Sequence, residues 1–132
     1  MIVEALKNCL YQSMAQDNNI MANLGNPLRL YDAPVKQAAF PFAIWRRIEQ
    51  KPIAQDNSDA FEISITIEIV CKNTGQEEAK KAVDAIKNWA QVTRPNIENL
   101  NIALLMCTYC DVFRAIDGRT FLGVVRLKII AQ

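Results

Sequence analysis

Between Phe61 and Cys71 the chain alternates. Phe61, Ile63, Ile65, Ile67, Ile69 and Cys71 occupy one parity, and Glu62, Ser64, Thr66 and Glu68 the other. Successive side chains of a strand point to opposite faces, so this segment must lie in a sheet with one face on a core and the other turned to water or a polar partner. One-sided burial is the mark of antiparallel sheet; strands of parallel sheets, covered on both faces, read as continuous apolar runs. The rest of the chain therefore has to provide further strands and a cover for one face.

The cover reads as helical. Within residues 2 to 16, Ile2, Val3, Leu6, Cys9, Leu10 and Met14 recur at spacings of one, three and four, which is one helical face, while Lys7 and Gln12 lie on the other side. A short helical turn is expected over Asn18 to Leu24, stopped by Gly25 and Asn26-Pro27. Thr74-Gly75-Gln76-Glu77 has the form of a capping box, with Thr74 as N-cap and Glu77 three residues on. It predicts a helix to about Ala90, with Ala79, Ala82, Val83, Ile86, Trp89 and Ala90 as its apolar stripe.

The remaining strands follow from turns and prolines. Leu28 to Trp45 contains two short apolar runs, each interrupted or ended by a proline, Pro34 and Pro41. Proline cannot donate to a ladder, so the segment reads as strand, kinked crossing, strand. In the polar stretch Arg46 to Asp59 the first residues extend the strand and the remainder is expected to be an exposed loop. Ile102 to Phe113 reads as a strand apolar on both faces, and Asp117-Gly118 as the turn into Phe121 to Ile130. On that last strand Phe121, Val125, Leu127 and Ile129 share one face, and Arg126 and Lys128 share the other with Val124 and Ile130. The predicted fold class is α+β, a mainly antiparallel sheet with helices packed on one face and the other face free. At 132 residues the chain suits a single domain, 1–132.

Composition excludes several chemistries. The 15 Lys and Arg stand against 14 Asp and Glu, a net charge of +1 without a basic stripe, unlike a general nucleic-acid binder. No apolar run approaches the ~20 residues a bilayer span needs. The start carries Glu4 and Lys7 in an amphipathic pattern and is not a secretory signal, so a reducing cytoplasm is the expected folding compartment. There is no histidine, which removes histidine triads, ligands and acid–base groups. The four glycines are dispersed, with no phosphate-cradling loop. No catalytic, cofactor-binding or metal-binding residue is expected.

Some signals resemble chemistry. Cys107-Thr108-Tyr109-Cys110 is a CxxC, compatible with a redox pair or half a zinc site. Within a strand, an offset of three turns the thiols to opposite faces, so all four cysteines (Cys9 and Cys71 included) are expected to be free and mostly buried. The carboxylate pairs Glu62 with Glu68 and Asp56 with Asp59 read as solvated positions rather than an acid–base pair. Trp45 beside Arg46 and Arg47 fits a core residue with solvated arginines, a protein interface, since Trp and Arg are frequent anchors there, or stacking on a nucleobase.

The ordered motifs resemble a known family. The N-terminal helix, then Leu30-Tyr31-Asp32-Ala33-Pro34 and Ala39-Phe40-Pro41-Phe42-Ala43, is similar to the pattern of phage tail-completion proteins, the tail terminators and head-to-tail joining proteins of long-tailed phages and gene transfer agents. The likeness continues through Phe61 to Cys71, the helix after Gly75, and the hairpin around Asp117-Gly118. It implies a non-enzymatic virion protein without cofactor, assembled in the bacterial cytoplasm. Such proteins cap the finished tail tube as a homo-oligomeric ring, commonly a hexamer, at the head-proximal end. Their partners are the tail tube protein and the head connector, and DNA passes through the lumen unread. On that reading Arg46, Arg47, Glu49, Lys51, Asp56 and Asp59 would contact the tube or a neighbouring subunit, and Glu62 and Glu68, with Ser64 and Thr66, would line the ring or its interface. The alternative is a small-molecule or peptide-binding α+β module, which requires a deep pocket with convergent polar groups.

Overall fold

The computed structural model of the chain describes residues 3–53, 60–72, 75–97 and 100–132. Helices α1 (Val3–Ala15) and α2 (Asn18–Leu24) precede strands β1 (Leu30–Tyr31), β2 (Phe42–Pro52) and β3 (Phe61–Lys72). Helix α3 (Gln76–Val92) follows, and then the hairpin β4 (Ile102–Arg114) and β5 (Thr120–Ala131). The strands form one sheet in the order β1-β2-β3-β5-β4, antiparallel throughout except where β1 runs parallel to β2. The fold is α+β, as the sequence pattern predicts.

Alternation puts β3 at the centre. Ile63, Ile65, Ile67, Ile69 and Cys71 are fully buried on one face. They lie beside Ile129, Leu127, Val125, Gly123 and Phe121 of β5. The helices close over this face. Leu6, Leu10 and Met14 of α1, Ile20 and Leu24 of α2, and Ala79, Ala82, Val83, Ile86 and Trp89 of α3 join the same core. The alanines keep the stripe of α3 low, so its backbone rides close to the sheet. At the closest point a Cβ on Gly123 would stand 2.7 Å from Val83 Cγ2, which is why β5 carries a glycine there. Trp89 Nε1 donates to Ser13 Oγ at 3.0 Å and ties α3 to α1.

Several expectations need correction. The segment Leu28 to Trp45 does give two strands, but β1 has two residues and pairs parallel, with Leu30 opposite Ala43. The polar stretch is strand as far as Pro52, not mostly loop: Arg47, Glu49 and Lys51 stand opposite Thr66, Ser64 and Glu62. The backbone of β3 offers partners there, and polar side chains on an uncovered face cost nothing. Asp56 and Asp59, the rest of the expected loop, lie outside the described residues. The N-cap of α3 is Gly75, which makes no side-chain cap bond, so the capping-box register is displaced by one residue; Thr74 lies outside the described residues. Asp17, by contrast, caps α2 by accepting from the Ile20 N–H at 2.9 Å. The Asp117-Gly118 turn forms as expected. Gly118 has φ 68° and the Asp117 carboxylate accepts from the N–H of Arg119 at 2.8 Å and of Thr120 at 3.2 Å. Those bonds, that from Arg119 foremost, hold its carboxyl below the usual range.

Candidate functional site

Among the described residues the helices all lie on one side and the second face of the sheet is uncovered; its composition follows from register. Along β2 and β3 it carries Arg47, Glu49, Lys51, Glu62, Ser64, Thr66 and Glu68. Along β5 and β4 it carries Arg126 opposite Tyr109, Lys128 opposite Met106, Ile130 opposite Leu104, Val124 opposite Asp111 and Leu122 opposite Phe113. A bulge at Arg46, between the pairs Trp45–Ile67 and Arg47–Thr66, lets Trp45 stay in the core while Arg46 reaches Glu68 on the open face at 3.9 Å. A strand without the bulge would have Arg46 and Arg47 on opposite faces.

The open face has an ionic half and an apolar half. Glu62 accepts from Lys51, directly opposite on β2, and from Lys128, diagonally across on β5, at 3.0 Å each, bridging three strands. Those two bonds, Lys128 first, hold its carboxyl below the ordinary value, outweighing the desolvation that opposes them. Arg47 pairs with Glu49 at 3.1 Å along β2. On the other half, Leu104, Met106, Tyr109 and Phe113 are 37, 41, 45 and 42 % exposed, apolar side chains down the edge strand interrupted by Asp111 between the last two. Arg126 stacks over the Tyr109 ring at 5.1 Å, and Tyr109 OH donates to Asp111 at 3.1 Å. Isolated exposed apolar residues are ordinary; here four share one edge strand beside ion-paired side chains.

The structure thus brings six of the sequence-derived residues, Arg46, Arg47, Glu49, Lys51, Glu62 and Glu68, to one surface; Asp56 and Asp59 are not described. Trp45 is core, packed with Ile67 on the helix side and lying under the Lys7 ammonium at 5.9 Å. The apolar half, Leu104, Met106, Tyr109 and Phe113, and the cations Arg126 and Lys128 of β5 were not among the candidates. The signal was present: β4 is apolar on both parities, and the helices suffice to cover one.

The CxxC geometry also departs from expectation. Cys107 pairs with Leu127 and Cys110 with Val125, and Thr108 is the extra residue of a bulge between them. Leu127 and Val125 share the helix-covered face, so both cysteines turn to that face rather than to opposite ones. All four cysteines are free, as expected, but only Cys71 is buried; Cys9 and Cys107 are intermediate and Cys110 is exposed. Burial pushes the Cys71 thiol up to about 12. Among the described residues no group of three or more Cys, Asp or Glu side chains is placed to hold a metal ion, and no buried side-chain polar atom lacks a partner.

A cleft of about 580 Å³ lies between α1 and the segment after β1, lined by Lys7, Tyr11, Tyr31, Pro34 and Trp45 among others. The Lys7 ammonium there is already paired with Asp32, and Tyr11 OH donates to the Leu28 carbonyl at 3.2 Å. Its central polar groups are therefore satisfied within the chain, which leaves few to converge on a small molecule.

A family model described as tail completion protein gp17 matches residues 9–132. Among solved structures, a chain from "Virion of native gene transfer agent (GTA) particle" superposes with a TM-score of 0.83 at 16 % identity, over 99 % of this chain and 98 % of that one. This likeness is one of fold. None of the curated proteins matches.

Proposed function

The chain belongs to the tail completion protein gp17 family, and from that premise we propose that it closes the head-proximal end of a phage-type tail tube as a ring of identical copies. It is a tail structural protein. In the proposed role it stops tube growth, presents a joining surface to the head connector, and leaves a lumen through which DNA passes without being read. It assembles in the bacterial cytoplasm, and its work is mechanical rather than catalytic. A hexamer is the proposed stoichiometry.

The uncovered sheet face carries this reading. A head-to-tail contact closes into a ring when its rotation closes, and it needs a surface that a monomer leaves unsatisfied. The apolar side chains on β4 and the ion-paired ones on β2, β3 and β5 supply an apolar strip flanked by polar groups on one surface. The mixed sign of the charges suits a channel that must not hold DNA, because phosphate affinity grows with each unpaired cation.

The experiment compares wild type with M106E/F113E on the apolar half and R46E/R47E on the ionic half. Solution mass is measured by light scattering, with and without purified tail tubes, and tail length by electron microscopy. Wild type is expected to form a closed ring, alone or on the tube. M106E/F113E should block that ring while leaving the circular dichroism of the monomer unchanged, and R46E/R47E should weaken tube capping. Rings and tail lengths that survive both variants would sink the assignment of this face.

A further inference from the structure

Cys107 and Cys110 lie at the edge-strand margin of the helix-covered face, Cys107 against the core and Cys110 exposed, and neither belongs to the proposed interface. In a regular strand, residues three apart are separated by about 10 Å, beyond the ~7 Å Cα limit for a disulfide. The bulge removes one step. Thr108 drops out of the ladder, its hydroxyl donating to the Arg126 carbonyl at 3.3 Å, so the cysteines stand opposite successive same-face residues of β5. That spacing is nearer two strand steps, about 6.6 Å, at the upper end of the Cα range a disulfide spans, and closure requires the two Cβ atoms to tilt together to about 3.5–4.5 Å. The Cys107 side chain leans along the strand towards its partner, with Sγ donating to the Tyr109 carbonyl at 3.5 Å. That carbonyl is bonded to the nitrogen of Cys110.

We propose that Cys107 and Cys110 are a dithiol site that closes to an intrachain disulfide by exchange with a small-molecule disulfide such as oxidised glutathione. Exposed Cys110 is the attacking sulfur. A cleft of about 370 Å³ lined by Cys110, Val112, Lys80 and Asp84 gives the incoming disulfide room, with a cation and a carboxylate for its zwitterionic ends. The Cys110 thiolate bonds to one glutathione sulfur and expels the other as thiolate. Half-buried Cys107, whose thiol burial holds up, then loses its proton and attacks the Cys110 sulfur, releasing the second glutathione. In sum, two protein thiols and one oxidised glutathione give one protein disulfide and two reduced glutathiones. The cross-link would span the bulge that brings Tyr109 opposite Arg126 on the open face, so oxidation stiffens the edge strand after folding.

The test uses the full chain, reduced, freed of reductant and incubated with oxidised glutathione, then acid-quenched for intact mass and peptide mapping. The expected product has lost two hydrogens, retains no glutathionyl group at this pair, and links Cys107 to Cys110 within one chain, with Cys71 still reduced. C107S, nearly isosteric, should stop at a stable glutathionyl adduct on Cys110, and C110S should react at this pair at least tenfold more slowly. A wild-type chain that keeps glutathione on Cys110, or that links between copies, would overturn the proposal. Because the readout is covalent and does not need the ring, it fails or succeeds independently of the role in the tail.

Discussion

Replacing Gly123 by alanine probes the contact that seats α3 on the sheet. The added Cβ would lie 2.7 Å from Val83 Cγ2 and 3.4 Å from Ile69 Cβ. Carbon atoms in contact prefer about 3.5–4.0 Å, so Val83 must retreat by roughly 1 Å. Val83 is a β-branched residue on a helix with one strongly preferred rotamer, so the helix itself must shift. Overpacking of this kind costs about 1–3 kcal/mol, and the lower chain entropy of alanine in a strand returns about 0.5–1 kcal/mol. The expected net loss is about 1–2 kcal/mol, a fall in Tm of roughly 4–8 °C. Urea denaturation followed by tryptophan fluorescence measures it. The double variant V83A/G123A sharpens the test. V83A alone should cost about 2 kcal/mol through lost methyl burial and the cavity left. The new Cβ then enters the vacated space, so the pair should be no less stable than V83A, a coupling of about 1 kcal/mol or more. If G123A matches wild type, or if the two changes simply add, the close approach does not govern the packing of α3.

Two further outcomes follow from the Glu62 ion pairs and the inter-helix bond. Glu62 has a folded-state pKa below its ordinary value of 4.5, so its contribution to stability is present above that value and is lost as pH falls through the lowered one. E62Q should therefore shrink the difference in urea midpoint between about pH 7 and about pH 3, and an unchanged difference would refute the bridge to Lys51 and Lys128. Ser13 accepts from the buried Trp89 indole at 3.0 Å. S13A leaves that donor unpaired and should cost about 1–3 kcal/mol by thermal denaturation; a change under about 0.5 kcal/mol would mean the bond contributes nothing net.

Much of the fold was legible because its signals are local. The 2-residue period of Phe61 to Cys71 and the helical stripes of α1 and α3 each depend on side chains a few positions apart, and all three elements form. The open face was legible as an absence: too little helix to cover both sides of the sheet. What escaped depends on partners distant in the chain. Arg46 to Pro52 is too polar to announce a strand, yet β3 pairs with it along its length. The apolar half of the candidate site was overlooked because Leu104, Met106, Tyr109 and Phe113 read equally well as a strand buried on both faces. Only the count of elements available to cover them distinguishes the two.

From the sequence alone come the α+β class, the one-sided sheet, the hairpin at Asp117-Gly118, and Arg46, Arg47, Glu49, Lys51, Glu62 and Glu68 of the open face. All of these rest on periodicity and on backbone preferences of single residues, which act before any long-range contact exists. Tertiary structure decided the strand order β1-β2-β3-β5-β4 and the parallel edge at β1. It also decided the bulges at Arg46 and Thr108, and with them the faces taken by Arg46, Arg47, Cys107 and Cys110. A bulge is a mismatch between two paired strands. It has no existence in one strand alone, so nothing in the residues around Thr108 could announce that two thiols three positions apart would share a face.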